Sequence, residues 1–288
     1  MEWERAKTTI LVIFLLLNIL LGGLRFFDNQ RYRLTFEQEQ NIRSVLNRHN
    51  IQMYTLPIRF APMRPIEISG FYYCDDFLYR VFFEGATVTS YVDEWGVYVM
   101  VTNDGRRLEN INGFIFFETG YLPYMPRSPV TRAFAEAKTS EFINMHFENF
   151  ELDIVHEAYD FHGNPGIRRI YRERYQGVLI YSNFVEFIVA GTGISQVEMQ
   201  FGRVIGHAQV PPRTIFPPDE VLLTFMQRFH HEAAETPIII NRMDMVYAKL
   251  YHYDEVGSVS LGVPFYRIFI MGRDFPLLIN AFTNALMH

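Results

Sequence analysis

Arg168-Arg-Ile-Tyr-Arg-Glu-Arg-Tyr175 and Val178-Leu-Ile-Tyr-Ser-Asn-Phe-Val-Glu-Phe-Ile-Val189 read as two extended segments with only two residues between them. A gap that short joins neighbouring antiparallel strands and leaves no room for the crossover helix that a parallel pair requires. Further extended segments at about 151–160 and 196–204 lie on either side. A helix over Thr131 to Met145 precedes this run, and a second over 218–231, opening after Pro217, leads to extended segments at 236–252, 264–271 and 276–282.

The upstream part follows the same scheme. Thr35-Phe-Glu-Gln38 has the form of a capping box and opens a helix to about Asn50, with Phe36, Ile42, Val45 and Leu46 as its apolar stripe. Ile51 to Arg59 and Ile66 to Ser69 read as strands, and Asp75 and Asp76 favour a short helix after them. Thr87 to Val92, Gly96 to Val101 and Phe114 to Glu118 read as strands, with Asn103-Asp-Gly105 as a tight turn. The expected fold is α+β: two tandem modules of antiparallel sheet packed with helices, following a single N-terminal transmembrane helix. The proline-rich stretch Tyr121 to Pro129 marks the boundary, giving segments 1–29, 30–125 and 126–288.

The transmembrane expectation rests on Thr8 to Leu24, 17 residues without a charge, which as a helix reach roughly 26 Å. Lys7 and Arg25 flank the run, and no small-x-small cleavage site follows it, so an uncleaved single-pass anchor is expected. A short cytoplasmic head and a long body outside the cytoplasm follow from that anchor, although charge alone leaves the orientation open. Phe14, Asn18 and Gly22 share one helix face and form a candidate contact face for a second membrane helix. The competing reading has the Asn18 amide bonding the carbonyl one turn earlier.

Composition narrows the function classes. Hydrophobic residues make up 49% of 288, enough to pack a core. Lys plus Arg is 26 against 32 for Asp plus Glu, with no basic block, which argues against a nucleic-acid partner. Cys74 is the single cysteine, so an internal disulfide is impossible.

A search for catalytic patterns yields little. His230-His231-Glu232 lacks the spacing of a helical zinc pair, and His156 and His162, near Glu157 and Asp160, read as a polar turn. Ser258-Val-Ser-Leu-Gly262 has serine where a nucleophile elbow needs its first glycine, and Gly191-Thr-Gly193 lacks the remainder of a dinucleotide fingerprint. The pairs Asp75/Asp76 and Asp219/Glu220 are accounted for by the first turns of helices. No catalytic residue, metal or cofactor is expected.

The two ends of the chain carry a resemblance. Met1-Glu-Trp3, Lys7-Thr8 and Leu17-Asn18 resemble the start of the YycI (WalI) regulatory proteins. Pro264-Phe-Tyr-Arg-Ile268 with Ile279-Asn-Ala-Phe-Thr283 resembles that family's closing strands, Asn284 standing where the family has Gly and still permitting positive φ. The resemblance implies a membrane-tethered, extracytoplasmic accessory regulator related in fold to YycH, touching membrane lipid. It further implies contact with that sister regulator and with the cell-wall sensor histidine kinase of a two-component system. Against this stand an anchored binding domain for an envelope ligand and an anchored hydrolase.

Overall fold

The computed structural model describes residues 2–70, 75–120, 130–191, 193–200, 202–249 and 258–287. In chain order the elements begin with α1 (Glu2–Arg31), α2 (Phe36–Arg48), β1 (Ile51–Met53), β2 (Ile66–Gly70) and α3 (Asp75–Phe82). A meander follows, β3 (Val88–Val92), β4 (Tyr98–Thr102), β5 (Arg107–Ile111) and β6 (Phe114–Glu118), and then α4 (Arg132–His146). Next come β7 (Phe150–Tyr159), β8 (Pro165–Tyr175), β9 (Val178–Ala190), β10 (Gly193–Gln200) and β11 (Gly202–His207). The chain closes with α5 (Pro218–Glu235), β12 (Ile238–Lys249), β13 (Val259–Ile270) and β14 (Leu277–Asn280).

The class is α+β; among the described residues most strand pairs are antiparallel, while β1 with β12 and β12 with β9 are parallel. The tandem arrangement is corrected. One compact unit comprises Met1–Met63, Pro212–Asp244 and Tyr266–His288, and the other Arg64–Pro211 and Met245–Phe265. The divisions fall inside β12 and inside β13, because each of these long strands contributes a stretch to both units. The proline-rich stretch Tyr121 to Pro129 lies outside the described residues.

In the first unit, α2 opens as its sequence dictates. The Thr35 hydroxyl accepts from the Gln38 amide at 3.2 Å, and the Gln38 side chain accepts from the Thr35 amide at 2.9 Å. Its buried stripe is Ile42 and Leu46, whereas Phe36 is exposed. Opposite packs α5, which starts with Pro218 in its first turn and buries Val221, Leu222 and Phe225. Burying side chains of this kind contributes about 1.5–3 kcal/mol each.

The closing motif anchors this unit. Tyr266, fully buried, donates its hydroxyl to the Phe216 carbonyl at 2.8 Å. Arg267, also fully buried, grips Asp244 through Nε–Oδ1 at 2.7 Å and Nη2–Oδ2 at 2.9 Å. The Asn280 carboxamide oxygen accepts from the amides of Phe282 and Thr283, and Asn284 takes φ 56°, the left-handed conformation that its place in the motif requires.

The second unit is built on β9, which pairs with β8, β10 and β12. Residues 184–190 of β9 lie between β8 and β10, while Val178 and Leu179 pair with Tyr175 and Arg174 of β8, and Leu179 and Ile180 with Val246 and Tyr247 of β12. The sheet continues through β10 to the meander β6-β5-β4-β3, and through β12 and β13 to β2 and β11. On one face, Ile167, Tyr171, Val185, Phe187, Val189, Val197 and Met199 form a core with α3 and α4. Asn183, wholly buried, clasps the backbone of Gly202, donating to its carbonyl at 2.8 Å and accepting from its amide at 3.1 Å. A Cβ at Gly202 would meet Ile68 Cγ2 and the Ser69 carbonyl oxygen at 2.5 Å, so only glycine fits there.

The transmembrane expectation is also corrected. Among the described residues no helix is long and apolar enough to cross a membrane. The Arg25 side chain that was to flank the span lies outside the described residues, and the Lys7 ammonium sits 5.4 Å from the Trp3 ring centroid. The single-pass localisation, and the membrane-anchored form of the regulator that depended on it, fall with the span.

Candidate interaction surface

The residues singled out in the sequence occupy separate, mostly structural positions. In α1 the Asn18 amide donates to the Phe14 carbonyl at 2.9 Å, the local bond of the competing reading, and open space surrounds Gly22. Asp75 and Asp76 fill the first turn of α3, where the Asp75 carboxylate also accepts from the Tyr98 hydroxyl at 3.1 Å. Asp219 and Glu220 fill the first turn of α5. His230 Nδ1 meets the Gln227 carbonyl oxygen at 2.8 Å, and Glu232 pairs with Arg273. Among the described residues no group of three or more His, Cys, Asp or Glu side chains could hold a metal ion. Ser260 and Gly262 pair with Ile68 and Ile66 as ordinary strand residues. Cys74 and Thr192 lie outside the described residues.

The β7–β8 hairpin gathers the remaining polar groups. Asp160, buried in its turn, accepts from the amides of His162 and Asn164 at 3.0 and 2.8 Å and from the Asn164 side chain at 3.0 Å. One carboxylate thus holds the turn, with His162 inside it and His156 within β7. Among the described residues β7 pairs only with β8, which makes it an edge strand.

The two halves of β7 differ. Between Leu152 and Ile154 the register shifts, and Asp153 turns inward to meet Arg172 Nε at 2.8 Å, both side chains being almost wholly buried. The Arg172 guanidinium stacks 3.9 Å from the Tyr181 ring centroid and donates to the Tyr181 carbonyl. Beyond that bulge, Ile154 to Tyr159 pair regularly with β8. A cleft of about 270 Å³ opens there, lined by Val130 and Arg132 at the start of α4 and by Glu157, Tyr159, Pro165 and Ile167 of the hairpin. Tyr159 is 72% exposed and Phe161 75% exposed.

Beneath the hairpin, Arg168 and Glu186 form an ion pair at 2.8 Å. Burial pushes the Glu186 carboxyl up to about 7, with the facing Glu198 adding to the rise and Arg168 and Arg172 opposing it. Glu198 pairs across the ladder with Glu186 and accepts from the Gln196 amide at 2.8 Å. The Tyr171 hydroxyl joins Thr139 of α4 at 2.8 Å and accepts from Arg169. These groups stiffen the hairpin; they do not converge on a place where a reacting atom could sit. Sequence reasoning missed them, although an acidic strand at 151–160 beside an arginine-rich one at 168–174 was the available signal.

No family model matches this sequence, and neither does any curated protein. Among solved structures, an uncharacterized protein from Eubacterium rectale is similar with a TM-score of 0.52 at 10% identity, over 83% of this chain and 90% of that one. The Bacillus megaterium YpeB C-terminal domain is similar with a TM-score of 0.42 at 11% identity, over 75% of this chain and 96% of that domain. The first likeness shows a shared fold, and the resemblance is remote.

Proposed function

We propose that this protein acts by contact with another protein and has no chemistry of its own, with the β7–β8 hairpin as the contact surface. The observation that carries the reading is the open half of β7: a regular edge strand with exposed Tyr159 and Phe161 at its end and a small cleft beside it. Aromatic side chains on an exposed strand are characteristic of protein-binding surfaces. The polar residues that an enzyme would use cap helices, hold turns or pair within strands instead.

The class of partner comes from the terminal motifs. Tyr266, Arg267, Asn280 and Asn284 belong to the stretch that resembles the YycI family, and each holds a defined structural place in the first unit. That resemblance supports a cell-wall sensor kinase, or its YycH-like regulator, as the protein contacted. The test is phosphorylation of the kinase's response regulator in cells with and without the full chain. A change in either direction is expected, and identical phosphorylation under several wall-stress conditions would overturn the reading.

A further inference from the structure

We propose that β7 receives an extended, basic segment of the partner as an added strand along Ile154 to Tyr159, a mode of contact that rests on the protein-binding reading above. Backbone parity fixes which groups are available. The Asp160 amide donates to the Asn164 carbonyl at 3.0 Å, and Tyr159 faces Pro165, which has no N–H to give. In an antiparallel ladder hydrogen-bonded and non-bonded pairs alternate, so the N–H and C=O groups of Val155, Glu157 and Tyr159 point away from β8. None of these three has a backbone partner among the described residues beyond the strand pairing itself.

Edge strands are normally blunted by bulges and inward charges, and β7 carries both devices at Asp153 alone. The six residues beyond it lack that protection. Other outer edges are shorter or interrupted: β3 has five residues, and β11 has six with a register shift at Val204/Gly206.

Charge selects the occupant. From residue 148 to 160 the chain carries Glu148, Glu151, Asp153, Glu157 and Asp160 and no Lys or Arg. Asp153 and Asp160 are engaged internally and Glu151 meets Arg174, which leaves Glu157 exposed on the open half of the edge. A segment alternating small apolar and basic residues matches this edge: its amides meet the three outward residues, its cations fall on the face of Glu157, and its apolar side chains fall on the opposite face beside Ile154 and Ala158.

The test titrates the full chain with a short blocked peptide alternating valine and lysine. Controls are the same peptide N-methylated on alternate amides and a valine–glutamate version. Glu157→Pro removes one outward N–H while leaving every bond to β8, and Glu157→Lys reverses the charge with the backbone intact. Binding of the lysine peptide is expected, with affinity weakened at least about tenfold by N-methylation and by either substitution. Equal binding by the N-methylated peptide, equal binding by Glu157→Lys, or tighter binding of the glutamate peptide would overturn the proposal. Self-association of the wild-type chain that Glu157→Pro abolishes would overturn it too, by making a second copy the occupant. If Glu157→Pro does not fold, the N-methylated peptide and Glu157→Lys still decide. Kinase output that persists undiminished in Glu157→Lys would remove β7 from the contact while leaving the contact itself standing.

Discussion

Arg267 in the first unit and Arg172 in the second are both almost wholly buried arginines bonded to one aspartate, yet their partners differ. Asp244 is one-third exposed and also meets Arg242 at 3.2 Å, whereas Asp153 is 1% exposed. A buried pair that loses one member is destabilised chiefly by the charge left behind, so the surroundings of the carboxylate decide the cost. The difference teaches that the closing motif of the first unit tolerates some loss at its charge pair, while the hairpin of the second depends on a closed one. Arg172 and Asp153 hold the bulge that shuts one half of the β7 edge and so define the half that remains open.

Arg172→Met should therefore have the largest effect, lowering unfolding free energy by about 3–5 kcal/mol in urea titrations. Arg267→Met should cost less, about 2–3 kcal/mol, because solvent and Arg242 still serve Asp244. Equal losses would break the comparison, since the exposure of the carboxylate would then not matter.

Glu186 sharpens it through pH. Its carboxyl is raised from an ordinary 4.5 to about 7, so the folded state binds a proton there that the unfolded state has released. The resulting stabilisation is complete below about pH 4.5 and is lost as pH rises through 7, on the order of 2–3 kcal/mol. Glu186→Gln should flatten that slope when unfolding free energy is measured from pH 5 to 8, and an unchanged slope would show that another group titrates. The smallest effect belongs to Glu157→Pro, expected to stay within about 1 kcal/mol of wild type because its N–H makes no ladder bond. A loss of several kcal/mol would mean the parity assigned to β7 is reversed.

Local signals in the sequence were legible where a single turn of chain determines the outcome. The Thr35–Gln38 box and the positive φ at Asn284 follow from side chains within a few residues of each other. The strand β5, Arg-Leu-Glu-Asn-Ile, was not legible because its charges dilute the apolar alternation. The interleaving of the units was hidden for another reason: β12 and β13 are each one uninterrupted strand in sequence, and pairing between distant segments determines where each changes unit. The apolar run near the start was read from hydropathy and its flanks, and among the described residues no helix is long and apolar enough to cross a membrane. Of the candidate surface, the aromatics and carboxylates were visible as residues, but the bulge at Asp153 that divides β7 arises only from its register with β8.

The most direct test is amide hydrogen exchange of the full chain with and without the purified sensor kinase. The amides of Val155, Glu157 and Tyr159 should slow markedly on binding, while those of β3, another outer edge, exchange at their original rates. Protection confined to Thr89 to Val92, with the three β7 amides unchanged, would contradict the β7 contact.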